Sequence, residues 1–161
     1  MKNNNKLSNF KEKIKQALSS TARVISDDIN YIDNVNENKS SKKFDFFNLE
    51  NLNSKNDFIK ARAESDSLAL KKKFSDEIIF KKNLPSSSSC RALYLIAEKI
   101  RYESLGFKIL KGVGKNLEEN YNQIINLKRK DQLKTKDDVG VSEAFELYML
   151  KKFHNIKLNS L

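Results

Sequence analysis

The sequence predicts an all-α protein of about five helices in a compact bundle. In five segments of the chain, apolar residues recur at spacings of three and four, which places them on one face of a helix. Only one proline and four glycines are present, so few residues interrupt these segments. With 161 residues, of which 39% are hydrophobic, the chain is expected to form a single helical domain over residues 1–161.

The first helix is predicted to begin near Ser8, whose hydroxyl can serve as its N-cap. Its apolar face consists of residues three or four positions apart: Phe10, Ile14, Ala17, Leu18, Thr21 and Ile25. Residues 27–56 are predicted to form a long polar loop or linker after this helix, since the part from Asn34 to Asn56 is rich in Asn, Ser and Lys. Within it, residues 27–35 fit either a short strand or a helical turn, because the apolar residues suit both spacings.

A long helix is predicted from Lys55 to about Lys73, since this run contains neither glycine nor proline. Ser54 and Asp57 have the three-residue spacing of a capping arrangement at its start. A short helical turn at residues 78–80 follows, and Pro85 ends any helix that precedes it.

The clearest helical pattern runs from Arg91 to Leu105, with Ser88 or Ser89 able to cap its start. Gly106 then stands where many helices end in a left-handed residue. Residues 112–114 are predicted to break the chain before a helix that extends from Asn116 to about Lys130.

The last helix is predicted to begin at Ser142. Its broad apolar face consists of Phe145, Tyr148, Met149 and Phe153. His154 follows near the end of this helix and is expected to lie at the surface, where a basic residue complements the helix dipole.

Composition excludes several classes of protein. No stretch of about 18 apolar residues is present to span a membrane, and residues 1–7 lack the apolar segment of a secretory signal. Cys90, the single cysteine, cannot form an internal disulfide, and with His154 as the single histidine one chain cannot assemble a Cys/His zinc site. We therefore expect a cytoplasmic protein in which Cys90 is a small buried thiol.

The net charge of +10 suggests nucleic-acid binding as an alternative, in the form of a small basic helical module. However, 26 of the 31 basic residues are Lys and only five are Arg, and they are spread along the chain. Base and phosphate recognition favours the planar guanidinium of Arg. The charge is therefore interpreted as a solvated surface.

Between residues 98 and 117 the chain reads Glu-x-x-Arg-x-Glu-x-x-Gly, then five residues, then Gly-Val-x-x-Asn-Leu. Glu98 and Arg101 are one helical turn apart and can form an ion pair, while Glu103 points elsewhere. This pattern resembles the amino-terminal domain of the CobT family. The resemblance continues upstream in residues that match the family at the same offsets: Phe10, Lys11, Ala17, Thr21, Arg23, Arg62, Asp66, Ala69, Leu70, Asp76, Glu77, Pro85, Arg91 and Ala92.

The resemblance implies the T subunit of the aerobic, ATP-dependent cobaltochelatase, which inserts Co²⁺ into hydrogenobyrinic acid a,c-diamide during cobalamin biosynthesis. In that family a large N subunit is expected to hold the tetrapyrrole and cobalt. An AAA+ S subunit hydrolyses ATP, and the T subunit joins it in a ring complex, which makes a homo-oligomer possible. Family members continue with an acidic linker and a von Willebrand factor A-like domain, which this sequence lacks, so it resembles the amino-terminal domain alone.

One departure from the family and one missing motif bear on chemistry. Family members often carry histidines near the positions of Ser75 and Phe80, and neither Ser nor Phe is a useful ligand for a transition metal. Residues 112–115 lack the spacing and the hydroxyl residue of a phosphate-binding loop. We therefore expect neither catalytic residues nor a metal site nor a bound cofactor in this domain, although the complex uses ATP, Mg²⁺ and Co²⁺.

The expected role is assembly with the S and N subunits rather than chemistry. The candidate partner-binding residues are those that match the family motif: Arg62, Asp66, Glu98, Arg101, Glu103 and Asn116. A structural network within the domain is an equal alternative for these charged and polar residues. Gly106 and Gly112 are assigned to backbone geometry.

Overall fold

The computed structural model describes residues 2–31, 52–131 and 139–154, with the side chains of residues 2–8 and 127–131 excepted. In these ranges the chain forms six helices and no strand, which confirms the all-α prediction. The helices are α1 (Lys2–Ser26), α2 (Lys55–Phe74), α3 (Glu77–Lys82), α4 (Ser88–Ile109), α5 (Lys111–Asp131) and α6 (Val141–His154). The sixth helix is α3, predicted only as a turn.

The chain divides into two compact units, residues 1–73 and residues 74–161, which are described separately. In the first unit, α1 starts at Lys2 rather than near Ser8. Its buried face carries Leu18, Ala22 and Ile25, whereas Phe10, which the spacing placed on the same face, is exposed. Most of the predicted loop at residues 27–56 lies outside the described residues. Only its ends, residues 27–31 and 52–56, can be compared.

A capping box begins α2, as predicted from Ser54 and Asp57. The Ser54 backbone N–H donates to Asp57 Oδ2 over 2.8 Å, and the Asp57 N–H donates to Ser54 Oγ over 3.2 Å. The Ser54 hydroxyl also donates to Asp57 Oδ2, and this hydrogen bond is the main cause of the lowered pKa of Asp57. Two orphan donors at the helix start are thereby satisfied.

In the second unit, α4 packs against both α5 and α6. The apolar residues buried there are Ile100, Tyr102, Val113, Leu117, Tyr121, Ile125 and Leu150. The face of α6 differs from the prediction, because Tyr148 and Phe153 are exposed while Leu150 and His154 are buried. Apolar residues occur all around α6, so spacing alone does not select the side that packs.

The predicted breaks at the glycines are wrong. Gly106 lies inside α4, which continues to Ile109, and no glycine has a positive φ. Gly112 lies in the first turn of α5, so this helix begins at Lys111 rather than at Asn116. Because α4 and α5 bury apolar faces against each other, their packing outweighs the roughly 1 kcal/mol by which glycine disfavours a helix.

Gly114 has a packing role that was not predicted. A Cβ atom at this position would lie 2.9 Å from Phe107 Cδ1 and 3.4 Å from the Phe107 Cα. Only one residue, Leu110, separates α4 from α5, so the two helices approach closely at this corner. The absence of a side chain at Gly114 permits that approach.

Candidate subunit-contact site

Glu98 and Arg101 form a two-point ion pair on α4. Arg101 Nε donates to Glu98 Oε2 and Nη2 donates to Glu98 Oε1, both over 2.7 Å. This bidentate geometry confirms the predicted pair and is stronger than a single contact between flexible side chains. The hydrogen bonds to Glu98 are the main reason that the pKa of Arg101 is raised.

The same guanidinium caps the end of α2. Arg101 Nη2 donates to the backbone carbonyl of Phe74, the last residue of α2, over 2.7 Å. Such carbonyls have no partner inside the helix, and a positive charge at this end is favoured by the helix dipole. Ser75 completes the cluster, because its hydroxyl donates to Glu98 Oε1 over 2.7 Å.

A second arginine of α4, Arg91, holds the other end of the chain that connects α2 to α4. Arg91 Nε donates to the Pro85 carbonyl over 3.2 Å, and Nη2 donates to the Ser86 carbonyl over 3.3 Å. Residues 75–87, which we call the α3 segment, therefore have hydrogen bonds to α4 at both ends. This geometry gives Arg91 a structural role in the described residues.

The α3 helix itself is short and displayed to solvent. Asp76 is its N-cap, since Asp76 Oδ1 accepts from the backbone N–H groups of Ile78 and Ile79 over 2.8 and 3.0 Å. Phe80 packs on Tyr94 of α4 with ring centroids 5.4 Å apart. None of the six residues of α3 is buried. Ile78 and Ile79 are 79% and 59% exposed.

Ser75 and Phe80, neither of which is a useful ligand for a transition metal, both have structural partners here. Ser75 joins the Glu98 cluster and Phe80 anchors α3 on Tyr94. Among the residues that the structure describes, no group of three or more His, Cys, Asp or Glu side chains is placed to hold a metal ion.

Glu103 is on a different side of α4 from Arg101, as the i,i+2 spacing predicts. It is fully buried, and its Oε2 accepts a hydrogen bond of 2.6 Å from the Tyr121 hydroxyl of α5. Burial first, and the nearby carboxylate second, raise the pKa of Tyr121. Lys99 Nζ lies 5.2 Å from the centroid of the Tyr121 ring. This geometry supports a structural role for Glu103.

His154 is buried, which corrects the prediction of a surface position. Its Nε2 lies 3.0 Å from Ser104 Oγ, and its ring packs on Phe107 with centroids 4.3 Å apart. Desolvation is the main cause of the lowered pKa of His154, which falls to about 4, and Lys99 contributes in the same direction. His154 is therefore neutral at neutral pH and packs like an aromatic residue.

Cys90 is exposed, contrary to the prediction of a buried thiol. It lies in the first turn of α4, beside Ser88, Ser89 and Arg91, all of which are also exposed. The helix starts at Ser88, before its buried face begins, so the apolar residues that follow Cys90 do not cover it. Ser87, rather than Ser88 or Ser89, occupies the N-cap position.

The remaining candidates occupy different elements. Arg62 and Asp66 lie on α2 in the first unit, where Arg62 is half-buried and Asp66 is 1% exposed. Asn116 lies in α5 of the second unit and is half-buried. The structure thus brings Glu98 and Arg101 together, whereas the partner-binding role of all six candidates stays a prediction.

Sequence reasoning missed three residues that matter for this site. Ile78 and Ile79 appeared only as members of a short turn, although six residues between Asp76 and Asn83 are too few to bury an apolar face. That brevity was the available signal. Tyr121 appeared only as an apolar helix residue, and nothing local in the sequence links it to Glu103, 18 positions away.

No helix within the described ranges is both long enough and apolar enough to cross a membrane.

Comparison with known families gives a direct result. The model of the family described as "Cobalamin biosynthesis protein CobT" matches residues 8–156, nearly the whole chain. No curated protein and no solved structure matches it. The family match agrees with the motif from Glu98 to Leu117 and with the all-α architecture, and the chain therefore belongs to the CobT family.

Proposed function

We propose that this chain is an assembly domain, without catalytic residues of its own, in an ATP-dependent aerobic cobaltochelatase. As a member of the CobT family it is a subunit of a multi-subunit cobaltochelatase in cobalamin biosynthesis. The finer proposal is that the complex inserts Co²⁺ into hydrogenobyrinic acid a,c-diamide in the cytoplasm. In that division of work an AAA+ S subunit uses ATP and Mg²⁺, and a large N subunit holds the tetrapyrrole.

The observation that carries the proposal is the exposure of Ile78 and Ile79 on α3, a short helix that side chains of α4 hold in place. Burying an exposed isoleucine contributes roughly 1.5–3 kcal/mol, so two adjacent ones form a strong centre for a protein contact. Polar side chains border them, including the Lys81–Glu77 ion pair of 2.7 Å. An apolar centre with a charged border is typical of a protein interface.

The anchoring of the α3 segment supports the same role. Arg101 and Arg91 fix its two ends, and the contact between Phe80 and Tyr94 fixes its middle. Because the displayed residues are already held in place, little conformational entropy is lost when a partner binds them. We propose that the S subunit binds here.

The test is co-purification of the full chain with the S subunit from the same source, with and without ATP and Mg²⁺. The wild type is expected to form a stable complex, and the double variant Ile78→Ser/Ile79→Ser is expected to lose it. Ile29→Ser is the matched control, because Ile29 is 81% exposed and lies on the first unit.

Circular dichroism shows whether each variant keeps its helices, which separates loss of a contact from loss of the fold. Failure of the folded wild type to bind the S subunit under any nucleotide condition would refute the assembly role. Equal binding by the wild type and the Ile78/Ile79 variant would remove the α3 segment from the interface.

A further inference from the structure

The α6 helix has an unusual distribution of side chains. Its buried residues are Leu150 and His154, and both of its acidic residues, Glu143 and Glu146, are half-buried. Apolar side chains instead lie in solvent: Val141 is 78% exposed and Tyr148 is 62% exposed. The solvent-facing side of α6 therefore carries apolar residues and no acidic residue, which is not expected of a helix that meets only water on its free side.

The exposed apolar residues are aligned. Val141, Ala144 and Tyr148 are separated by three and four positions, so they form one stripe along two turns of the helix. Lys151 and Lys152, both exposed, continue this stripe in the last turn. We call these five residues the outer face of α6. Neither lysine forms an ion pair with any residue that the structure describes.

Charge on this face is of one sign. Along Val141–His154, a range that the structure describes completely, every exposed residue is neutral or basic, and the basic ones are Lys151 and Lys152. A partner that covers the stripe must therefore combine an apolar groove with acidic residues near the lysines. Electrostatic complementarity of this kind sets the choice of partner and the rate of association.

We propose that the outer face of α6 binds an acidic, apolar groove on another protein subunit of the cobaltochelatase complex. This inference rests on the proposed function, because it takes the partner from the same complex. It adds a second contact, on a helix distinct from the α3 segment. Tyr148 supplies the central apolar contact, and the two lysines orient the partner.

Two other occupants fit the face less well. A second copy of this chain, packed by twofold symmetry, would bring the same lysines of both copies into one interface, and the chain carries a net charge of +10. A nucleic acid would find no arginine on the face, and Tyr148 is its one aromatic ring, since the aliphatic Val141 and Ala144 offer no surface on which further bases can stack.

The experiment measures binding of the full chain to the purified S subunit and, separately, to the purified N subunit. Two variants change the face: Val141→Ser/Tyr148→Ser removes the apolar stripe, and Lys151→Glu/Lys152→Glu reverses the charge. Two controls match them elsewhere in the second unit. Ile109→Ser changes a residue that is 61% exposed, and Lys108→Glu/Lys115→Glu makes the same charge change away from α6.

Both face variants are expected to weaken binding to one of the two subunits by roughly tenfold or more, while both controls bind as the wild type does. Raising salt from about 50 to about 300 mM is expected to weaken the wild type more than Lys151→Glu/Lys152→Glu, because the variant has lost the attraction that salt screens. Circular dichroism and urea unfolding confirm that the variants are folded.

Three outcomes overturn the inference alone: wild-type binding that neither face variant changes, a dimer by light scattering that Val141→Ser/Tyr148→Ser dissociates, or affinity for a single-stranded oligonucleotide that Lys151→Glu/Lys152→Glu abolishes while subunit binding persists. If the folded wild type binds neither subunit, the proposed function fails and the inference fails with it. The two failures are thus distinguished by the behaviour of the wild type.

Discussion

Arg91 and Arg101 lie ten residues apart on α4 and donate hydrogen bonds to backbone carbonyls on either side of α3: Arg91 to Pro85 and Ser86, and Arg101 to Phe74, the residue just before the α3 segment. The Arg101 contacts are the shorter ones, because Glu98 fixes the guanidinium by two hydrogen bonds of 2.7 Å. Side chains of α4 thereby hold the chain at two points, at the last residue of α2 and in the residues that precede α4 itself. Glu98 and Arg101, both part of the motif from Glu98 to Leu117, thereby contribute to the hydrogen bonds at the start of the α3 segment.

Arg101→Ala is expected to lower the free energy of unfolding by about 1–3 kcal/mol. The variant leaves the half-buried Glu98 carboxylate without its guanidinium and the Phe74 carbonyl without its cap. Arg101→Lys should recover only part of the loss, since one ammonium cannot reproduce the fork. Urea unfolding followed by circular dichroism measures the change. Unfolding at the same urea concentration as the exposed control Lys108→Ala would contradict this account.

Tyr121→Phe is expected to cost about 2 kcal/mol, because it removes the hydroxyl that donates to the fully buried Glu103. Glu103→Gln removes the buried charge, so Tyr121→Phe should lower the free energy of unfolding by less in the Glu103→Gln chain than in the wild type. A double-mutant cycle with the two variants measures their coupling. Because the amide oxygen of Gln still accepts the hydrogen bond, a coupling energy near zero would show that the charge of Glu103 adds nothing to the 2.6 Å contact.

Acidification should destabilise the second unit through His154. The pKa of His154 is about 4 in the folded chain, whereas an unperturbed histidine, as in the unfolded chain, has a pKa of 6.5. At pH values between these two, the unfolded chain binds a proton that the folded chain does not. The free energy of unfolding therefore falls as pH falls from about 6.5 to about 4, by up to about 3 kcal/mol. Comparing urea unfolding of the wild type and His154→Gln at each pH isolates this effect from the carboxylates. Identical pH slopes would refute it.

Gly114→Ala and Gly112→Ala should change stability in opposite directions. The first places a methyl group 2.9 Å from the Phe107 ring and is expected to destabilise by about 1–3 kcal/mol. The second has no atom within 4 Å of the added Cβ and should stabilise by up to about 1 kcal/mol, because alanine favours a helix. Thermal unfolding of the two variants tests both signs. Unchanged stability of Gly114→Ala would mean that the Phe107 ring or the α4–α5 corner adjusts to the added methyl group without cost.

Local patterns in the sequence predicted those features that depend on local interactions. The capping box of Ser54 and Asp57 and the ion pair of Glu98 and Arg101 each join residues three positions apart, and both are present. Gly106 failed as a helix end because the choice between a helical and a left-handed residue was made by packing against α5 and α6. Propensity is weak compared with such burial.

Long-range features were not predictable in this way. The burial of His154 depends on Ser104 and Phe107, 50 and 47 positions away, and α6 has apolar residues on every side. The carbonyl of Phe74 as a partner of Arg101 likewise depends on the path of the chain between α2 and α4. The exposure of Ile78 and Ile79 is different, because the shortness of α3 already indicated it.

The α3 segment separates the residues that stabilise it from the residues that it displays. Arg91, Arg101 and Phe80 stabilise the segment, whereas Ile78 and Ile79 are exposed on its surface. Substitution of either isoleucine is therefore expected to leave intact the hydrogen bonds and the ring contact that hold the segment in place. The displayed surface can thus be altered by mutation without rebuilding the scaffold beneath it, which makes the α3 segment the place where the proposed contact is most open to redesign.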